Sequence, residues 1–224
     1  MKVIARIQSA FPEKFGIPRQ SGLVEELQAR IVFVPEYRNA DAVRGLDEFS
    51  HLWLIWEFSE AKRDTWSPTV RPPRLGGNQR LGVFATRSPY RPNPVGLSCV
   101  KLDRVEIDSN LGPVIHVRGA DLMDGTPIYD IKPYLPYADC HPDAIGGFAS
   151  DKPEEKLQVE IPDELCSVAS GEVLSALRGV LAQDPRPAYQ KDPERVYGLS
   201  FAGMEARFQV DGDKLTVCGI EVKK

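Results

Sequence analysis

Six short runs rich in Val, Ile, Phe and Trp follow one another between Lys2 and Leu122, separated by stretches that contain Gly, Pro and Asn, before any helix-length periodicity occurs. They read "KVIARI", "ARIVFV", "SHLWLIWEF", "RLGVFAT", "VGLSCVKLDRVEI" and "PVIHVRGADL". Runs of this length and spacing predict a closed or strongly curved antiparallel sheet. "SHLWLIWEF" lacks clean alternation, which predicts a central strand buried on both faces. "DSNLGP", Asp108 to Pro113, reads as a hairpin turn between two alternating segments. No Gly-x-Gly-x-x-Gly opens a helix after a strand and strands do not alternate with helices, so a Rossmann-type domain is not expected.

The character changes after about residue 145. "GGFASDKPEEK" is polar and rich in turn formers, the composition of a linker. Beyond it "SGEVLSALRGVLAQDP" puts Val173, Leu174, Leu177, Val180 and Leu181 on one helical face, with Ser170 placed to cap the start and Pro185 to mark the stop. "VYGLSF", "ARFQV", a "DGD" turn and "KLTVCGIEV" then predict a short antiparallel set. The fold expected is mainly β: an antiparallel β-barrel over 1–147 and a small C-terminal α+β domain over 158–224. With 42% apolar residues in 224, the chain can build a substantial core.

"MKVIARIQSAF" alternates polar and apolar residues like a first strand rather than a secretion signal, and the run "LWLIW" is too short to span a bilayer. A cytoplasmic protein is expected. The cysteines, Cys99, Cys140, Cys166 and Cys218, form no Cys-x-x-Cys pair and only three histidines accompany them. Ligand candidates crowd only at "DCHPD", so free thiols and no metal are expected.

A net charge of −4 argues weakly against nucleic acid, yet the charge is unevenly spread. From Thr65 through Val100 there is no Asp, Glu or Lys, while Arg71, Arg74, Arg80, Arg87 and Arg91 all fall there. Choosing arginine alone favours planar, bidentate recognition of carboxylate or phosphate. The plainer reading is that these arginines solvate a proline-rich loop.

That loop contains "ATRSPYRPNPVGLS", Ala85 to Ser98. Each proline fixes its own φ and pushes its predecessor toward extended geometry, so Ser88, Arg91 and Asn93 stand on a stiff backbone. Two further segments share this irregular character. They are "FPEKFGIPRQSG", Phe11 to Gly22, and "DLMDGTPIYDIKPYLPYAD", Asp121 to Asp139. Three such segments either converge on a pocket or serve only to cross and cover a barrel end.

These three strings, with "NADAVRGLDEFSHLWLIWEF", "TVRPPRLGGNQRLGVFATRS" and "AQDPRPAYQ", closely resemble the TsaA-like family, whose bacterial members are the tRNA methyltransferases called TrmO. The resemblance covers nearly the whole chain. It implies a dimeric β-barrel enzyme that uses S-adenosylmethionine to methylate N6 of threonylcarbamoyl-adenosine at position 37 of threonine tRNA. It implies further that Gln20, Ser21, Gly22, Arg87, Leu97, Leu122, Met123, Asp124 and Gly125 line the cofactor site, with Arg87 on either the methionyl carboxylate or a tRNA phosphate. Asn93 and Asp130 are the candidates for holding or taking the N6 hydrogen. Arg71, Arg74, Arg80 and Arg91, with Arg186 and Tyr189 of "AQDPRPAYQ", are the candidates for RNA contact, since unpaired RNA is read through aromatic and guanidinium planes. A non-catalytic RNA-binding barrel and a methyltransferase with another acceptor are the alternatives. Met123 and the Pro89-Tyr90 pair depart from the family pattern.

Overall fold

The computed structural model describes residues 1–61, 65–75, 79–150, 157–187, 190 and 192–223. Strands β1 (Ala5–Gln8), β2 (Gln28–Phe33), β3 (His51–Glu57), β4 (Thr69–Val70), β5 (Leu81–Gly82), β6 (Val95–Asp108), β7 (Gly112–Arg118) and β8 (Pro127–Pro133) precede the short helix α1 (Pro136–Asp139). Six of them close an antiparallel barrel in the order β1-β2-β7-β6-β3-β8. Ile7, Ile31, Leu52, Leu54, Val100, Ile115, Val117 and Ile128 fill it.

Strand β6 is long because it serves two neighbours, pairing with β3 through Val95–Lys101 and with β7 through Lys101–Asp108, with a register shift between Leu102 and Arg104. A bulge of this kind bends a strand around a closing sheet. The turn from β6 to β7 is held by Asp108, whose carboxylate accepts from the Asn110 and Leu111 N–H groups at 2.7 and 2.8 Å. Those two bonds hold its pKa below the usual aspartate range. Gly112 completes the turn at φ +70°.

Three sequence expectations change. In β3, Leu52, Leu54 and Trp56 face the core while Trp53 and Ile55 are only half-buried, so the strand is not buried on both faces. On the outer face of the strand Trp53 packs against the Tyr134 ring, 5.9 Å away. "RLGVFAT" is not a barrel strand: only Leu81–Gly82 pairs, with Thr69–Val70, and Val83–Ala85 coils into a 3-10 turn. The strand that closes the barrel is instead "PIYDIKP", read from sequence as part of an irregular segment.

The C-terminal part comprises β9 (Gln158–Glu160), α2 (Gly171–Ala182), β10 (Tyr197–Phe201), β11 (Met204–Asp211) and β12 (Lys214–Val222). Ser170 caps α2 by accepting from the Val173 N–H. The sheet runs β10-β11-β12-β9, with β9 parallel to β12. Leu177, Val180 and Leu181 of α2 pack with Leu199, Phe208 and Val217. Phe11, Val24 and Leu27 belong to this same core, so the segment between β1 and β2 is built into the C-terminal unit. Gly16 (φ +87°) passes so close that an added Cβ would lie 2.3 Å from Leu199 Cδ1. Among the described residues, no helix is long and apolar enough to cross a membrane.

Candidate active site at one end of the barrel

The segment after β1 and the turn between β7 and β8 are laced together. The Asp124 N–H donates to Phe11 O at 2.7 Å and the Gly125 N–H to Ile7 O at 2.8 Å. In return the Ser9 N–H donates to Asp124 Oδ1 at 2.9 Å and Ser9 Oγ to Leu122 O at 2.8 Å. The Gly22 N–H donates to Gly119 O at 2.9 Å, and a Cβ on Gly119 would meet the Gly22 backbone at 3.2 Å. The close approach of two backbones therefore requires glycine here.

Side chains complete the junction. Arg87 Nη1 donates to Gln20 Oε1. Ser98, only 1% exposed, donates from Oγ to Asp121 Oδ1 at 2.6 Å and accepts from Trp56 Nε1 at 2.9 Å. Burial raises the pKa of Asp121, and the hydrogen bonds from Ser98, its own backbone N–H and the Ser21 N–H, with the Arg87 charge, oppose that rise. All three irregular segments thus meet at one end of the barrel: Phe11–Gly22 through Ser21 and Gln20, Ala85–Ser98 through Arg87 and Ser98, and Asp121–Asp139 through Asp121 and Asp124. Gln20, Ser21, Gly22, Arg87, Met123, Asp124 and Gly125 lie in this cluster or on its bounding turns. Leu122 has its side chain in the core, 1% exposed, and offers the cluster only its backbone.

Leu97, Asp130 and Asn93 stand apart. Strand alternation turns Leu97 to the barrel exterior, 52% exposed, on the face opposite Ser98. There Leu97 and Asp130 flank Ile55 in register. The Asp130 carboxylate is engaged by Lys132 Nζ at 3.0 Å and the Ile131 N–H at 2.9 Å. Asn93 is exposed in the loop that enters β6, where its carbonyl accepts from the Val95 N–H.

Arg71 and Arg80 are exposed, Arg80 donating to Thr69 Oγ1 at 3.2 Å, and Arg74 sits in the 3-10 turn Pro73–Leu75. Arg91 Nη1 donates to Thr86 O and Ser88 O at 3.1 and 3.4 Å. The Arg186 guanidinium, 11% exposed, is gripped at both ends by Asp184, so it locks a turn rather than standing free. Tyr189 lies outside the described residues.

Sequence reasoning did not single out Ser98, Asp121 or Trp56, nor the Glu57–Tyr129 pair at the foot of the Asn93 loop. Burial and a hydrogen bond to the Glu57 carboxylate push the Tyr129 phenol up to about 12. Polar side chains inside apolar strand patterns, as Ser98 is in "VGLSCV", were the available signal.

A family model for the tRNA-methyltransferase O N-terminal domain matches residues 6–140, and one for the TrmO C-terminal domain matches 154–223. The chain belongs to the TrmO family. Membership makes it a methyltransferase acting on tRNA. It is 42% identical to the tRNA (adenine(37)-N6)-methyltransferase of Escherichia coli over 97% of this chain and 96% of the other. It is 43% identical to a Pseudomonas aeruginosa protein named as a putative S-adenosylmethionine-dependent methyltransferase, over 88% of this chain and 86% of the other. A crystal structure of TrmO from P. aeruginosa superposes with a TM-score of 0.79 at 34% identity, covering 99% of this chain and 97% of that one.

The donor set at the barrel end suits the cofactor these TrmO relatives' names imply. An exposed guanidinium matches a carboxylate, the Asp124 carboxylate matches an ammonium, and the positions where Cβ atoms on Gly22 and Gly125 would stand are open. Both glycines have positive φ, which lets the backbone turn there without a side chain in the way.

Proposed function

We propose that the chain transfers the methyl group of S-adenosylmethionine to N6 of threonylcarbamoyl-adenosine at position 37 of threonine tRNA. The observation that carries this reading is the convergence of three irregular segments on one polar cluster, in a chain that aligns end to end with a relative named for adenine-37 N6 methylation.

Bound S-adenosylmethionine supplies an electrophilic methyl group. Arg87 would hold its carboxylate through a two-pronged guanidinium whose direction Gln20 fixes. Asp124 and the backbone of Leu122–Gly125 would hold its amino group, while Ser98 and Asp121 tie the segments that present them. Asn93 accepts the single N6 hydrogen as a hydrogen bond through its amide oxygen and so orients the nitrogen for attack, which is worth most when reacting atoms are held near contact distance. That same hydrogen leaves as a proton as the N–CH3 bond forms, passing to solvent or, where the substrate reaches the outer barrel face, to the Asp130 carboxylate that Lys132 holds there.

The active unit is a homodimer whose boundary runs close to the cofactor. The outer face of β3 and β6 supports this: Leu97 is 52% exposed there, beside the half-buried Trp53 and Ile55. Arg71, Arg74, Arg80 and Arg91 supply phosphate contacts, and Arg186 locks the turn ahead of Tyr189. The deciding experiment is mass spectrometry of nucleosides from threonine tRNA, with and without the threonylcarbamoyl group, after incubation with protein and S-adenosylmethionine. A methyl group on the modified adenosine is expected. Methylation of another nucleotide, or none by protein that binds the cofactor, would overturn the assignment.

A further inference from the structure

The 65–93 region carries a second feature besides arginine. Strands β4 and β5 form a two-stranded ribbon whose flanks bring Trp66 and Phe84 together, ring centroids 6.0 Å apart at 32°. Both rings face solvent: Trp66 is 51% exposed and Phe84 72%. The exposure is built in. Val83 is buried and its N–H donates to Pro68 O at 2.9 Å, which anchors the 3-10 turn and sends the next side chain, Phe84, outward. Ser67 Oγ donates to Thr69 O at 2.9 Å, fixing the segment that carries Trp66.

Arginines adjoin the pair. Arg91 stands 5.9 Å from the Phe84 ring centroid, and Arg80 is tethered to Thr69 on the ribbon itself. No carboxylate occurs anywhere in the sequence from Thr65 to Val100 to neutralise them. Adjoining large aromatics left uncovered mark a surface that something else covers. Aromatic rings and arginines also occur together at protein interfaces, so the one-sided charge decides the occupant: five arginines with no carboxylate between Thr65 and Val100 call for a polyanion. Among the described residues no carboxylate pairs with Arg71, Arg80 or Arg91, and rings set beside such guanidiniums suit a polyanion with exposed π-faces, which is unpaired RNA: bases stack on the rings and phosphates meet the arginines. Bases within a duplex are already stacked and offer no face to such rings.

We propose that Trp66 and Phe84 form a stacking platform for unpaired bases of the tRNA substrate, with Arg71, Arg80 and Arg91 holding the adjoining phosphates. This rests on the chain being a tRNA methyltransferase and names where on its surface the single-stranded part of that tRNA lies.

The test measures binding of a threonine tRNA transcript by fluorescence anisotropy over a range of salt. Trp66→Ala and Phe84→Ala are each expected to weaken binding about tenfold, the loss of one base–ring stack. Phe84→Tyr keeps the π-face and is expected to bind like the parent; Phe84→Leu keeps apolar area only and is expected to fall with Phe84→Ala. The aromatic variants leave the dependence of log affinity on log salt unchanged, whereas Arg80→Ala lowers that slope by about 0.7, the value for one single-strand phosphate contact. Calorimetric affinity for S-adenosylmethionine, unchanged throughout, reports that the variants are folded. A Trp66→Ala/Phe84→Ala double variant that binds tRNA as the parent does overturns the platform while leaving the methyltransferase reading intact. The same holds if light scattering shows the double variant losing only self-association, since a second copy of the chain then covers the rings. A parent protein that binds cofactor but no tRNA overturns both.

Discussion

Ser98 Oγ lies 2.6 Å from Asp121 Oδ1, and through this one contact the strand leaving the proline-rich loop is fastened to the chain leaving β7. Trp56 closes the chain of bonds from β3, so two barrel strands and the segment after β7 converge on a single buried hydroxyl. Burial dominates at Asp121 and raises its pKa. A carboxyl whose folded pKa lies above its unfolded value near 3.9 stabilises the fold only while protonated. That contribution is full below about pH 4 and is lost as pH rises through the raised value. Asp121→Asn, which keeps the shape without the charge, is expected to gain stability relative to the parent as pH rises across this window. Urea midpoints at pH 4 and pH 7 measure it, and equal differences at the two values would refute it.

Glu205 carries the opposite sign. Lys223 and Ser200 donate to its carboxylate, and these bonds hold its pKa below the usual glutamate range. Its contribution is present above the unfolded value of about 4.3 and disappears as pH falls through the lowered one. Glu205→Gln therefore costs stability at pH 7 and little at pH 3, read from thermal melts of the C-terminal sheet.

Gly96 lies against the Trp56 indole so closely that an added Cβ would stand 2.3 Å from Cε2. Gly96→Ala must displace the ring and break its bond to Ser98. A loss of about 1–3 kcal/mol is expected from overpacking, with a shift in tryptophan emission. Unchanged stability and emission would mean that the ring has room to move.

Arg87→Lys retains the charge and loses the fork. Cofactor affinity by calorimetry is expected to fall about tenfold, the equivalent of one charge-assisted hydrogen bond of roughly 1.5 kcal/mol. Affinity equal to the parent's would move Arg87 out of the cofactor site.

Deleting residues 157–224 uncovers Phe11, Val24 and Leu27, all but inaccessible in the intact chain. The truncated barrel is expected to lose solubility and cofactor affinity together, because Phe11 O also anchors the Asp124 turn. A soluble truncated barrel with parental affinity would show that this shared core is dispensable.

The amino-acid sequence by itself determined the elements whose signals are local. Alternation and β-branched residues specify β1, β2, β6 and β7, the Asp108 turn has its own capping carboxylate, and Ser170 starts α2 where the apolar stripe begins. The proline-stiffened loop and its lone-sign arginines were also legible, because backbone restriction and side-chain charge need no partner. Tertiary structure decided the rest. "PIYDIKP" becomes the closing strand because β1 and β3 each need a neighbour, a requirement that no window around residue 130 contains. Val83 is buried beneath the ribbon, so "RLGVFAT" coils and Phe84 is thrown outward. Phe11 and Val24 enter a core made by residues more than a hundred positions away, and Asp121, unremarkable in "GADLM", becomes a buried carboxyl only once Ser98 and Ser21 close around it. Pairing, burial and desolvation depend on which distant residue arrives, and the fold alone selects that residue.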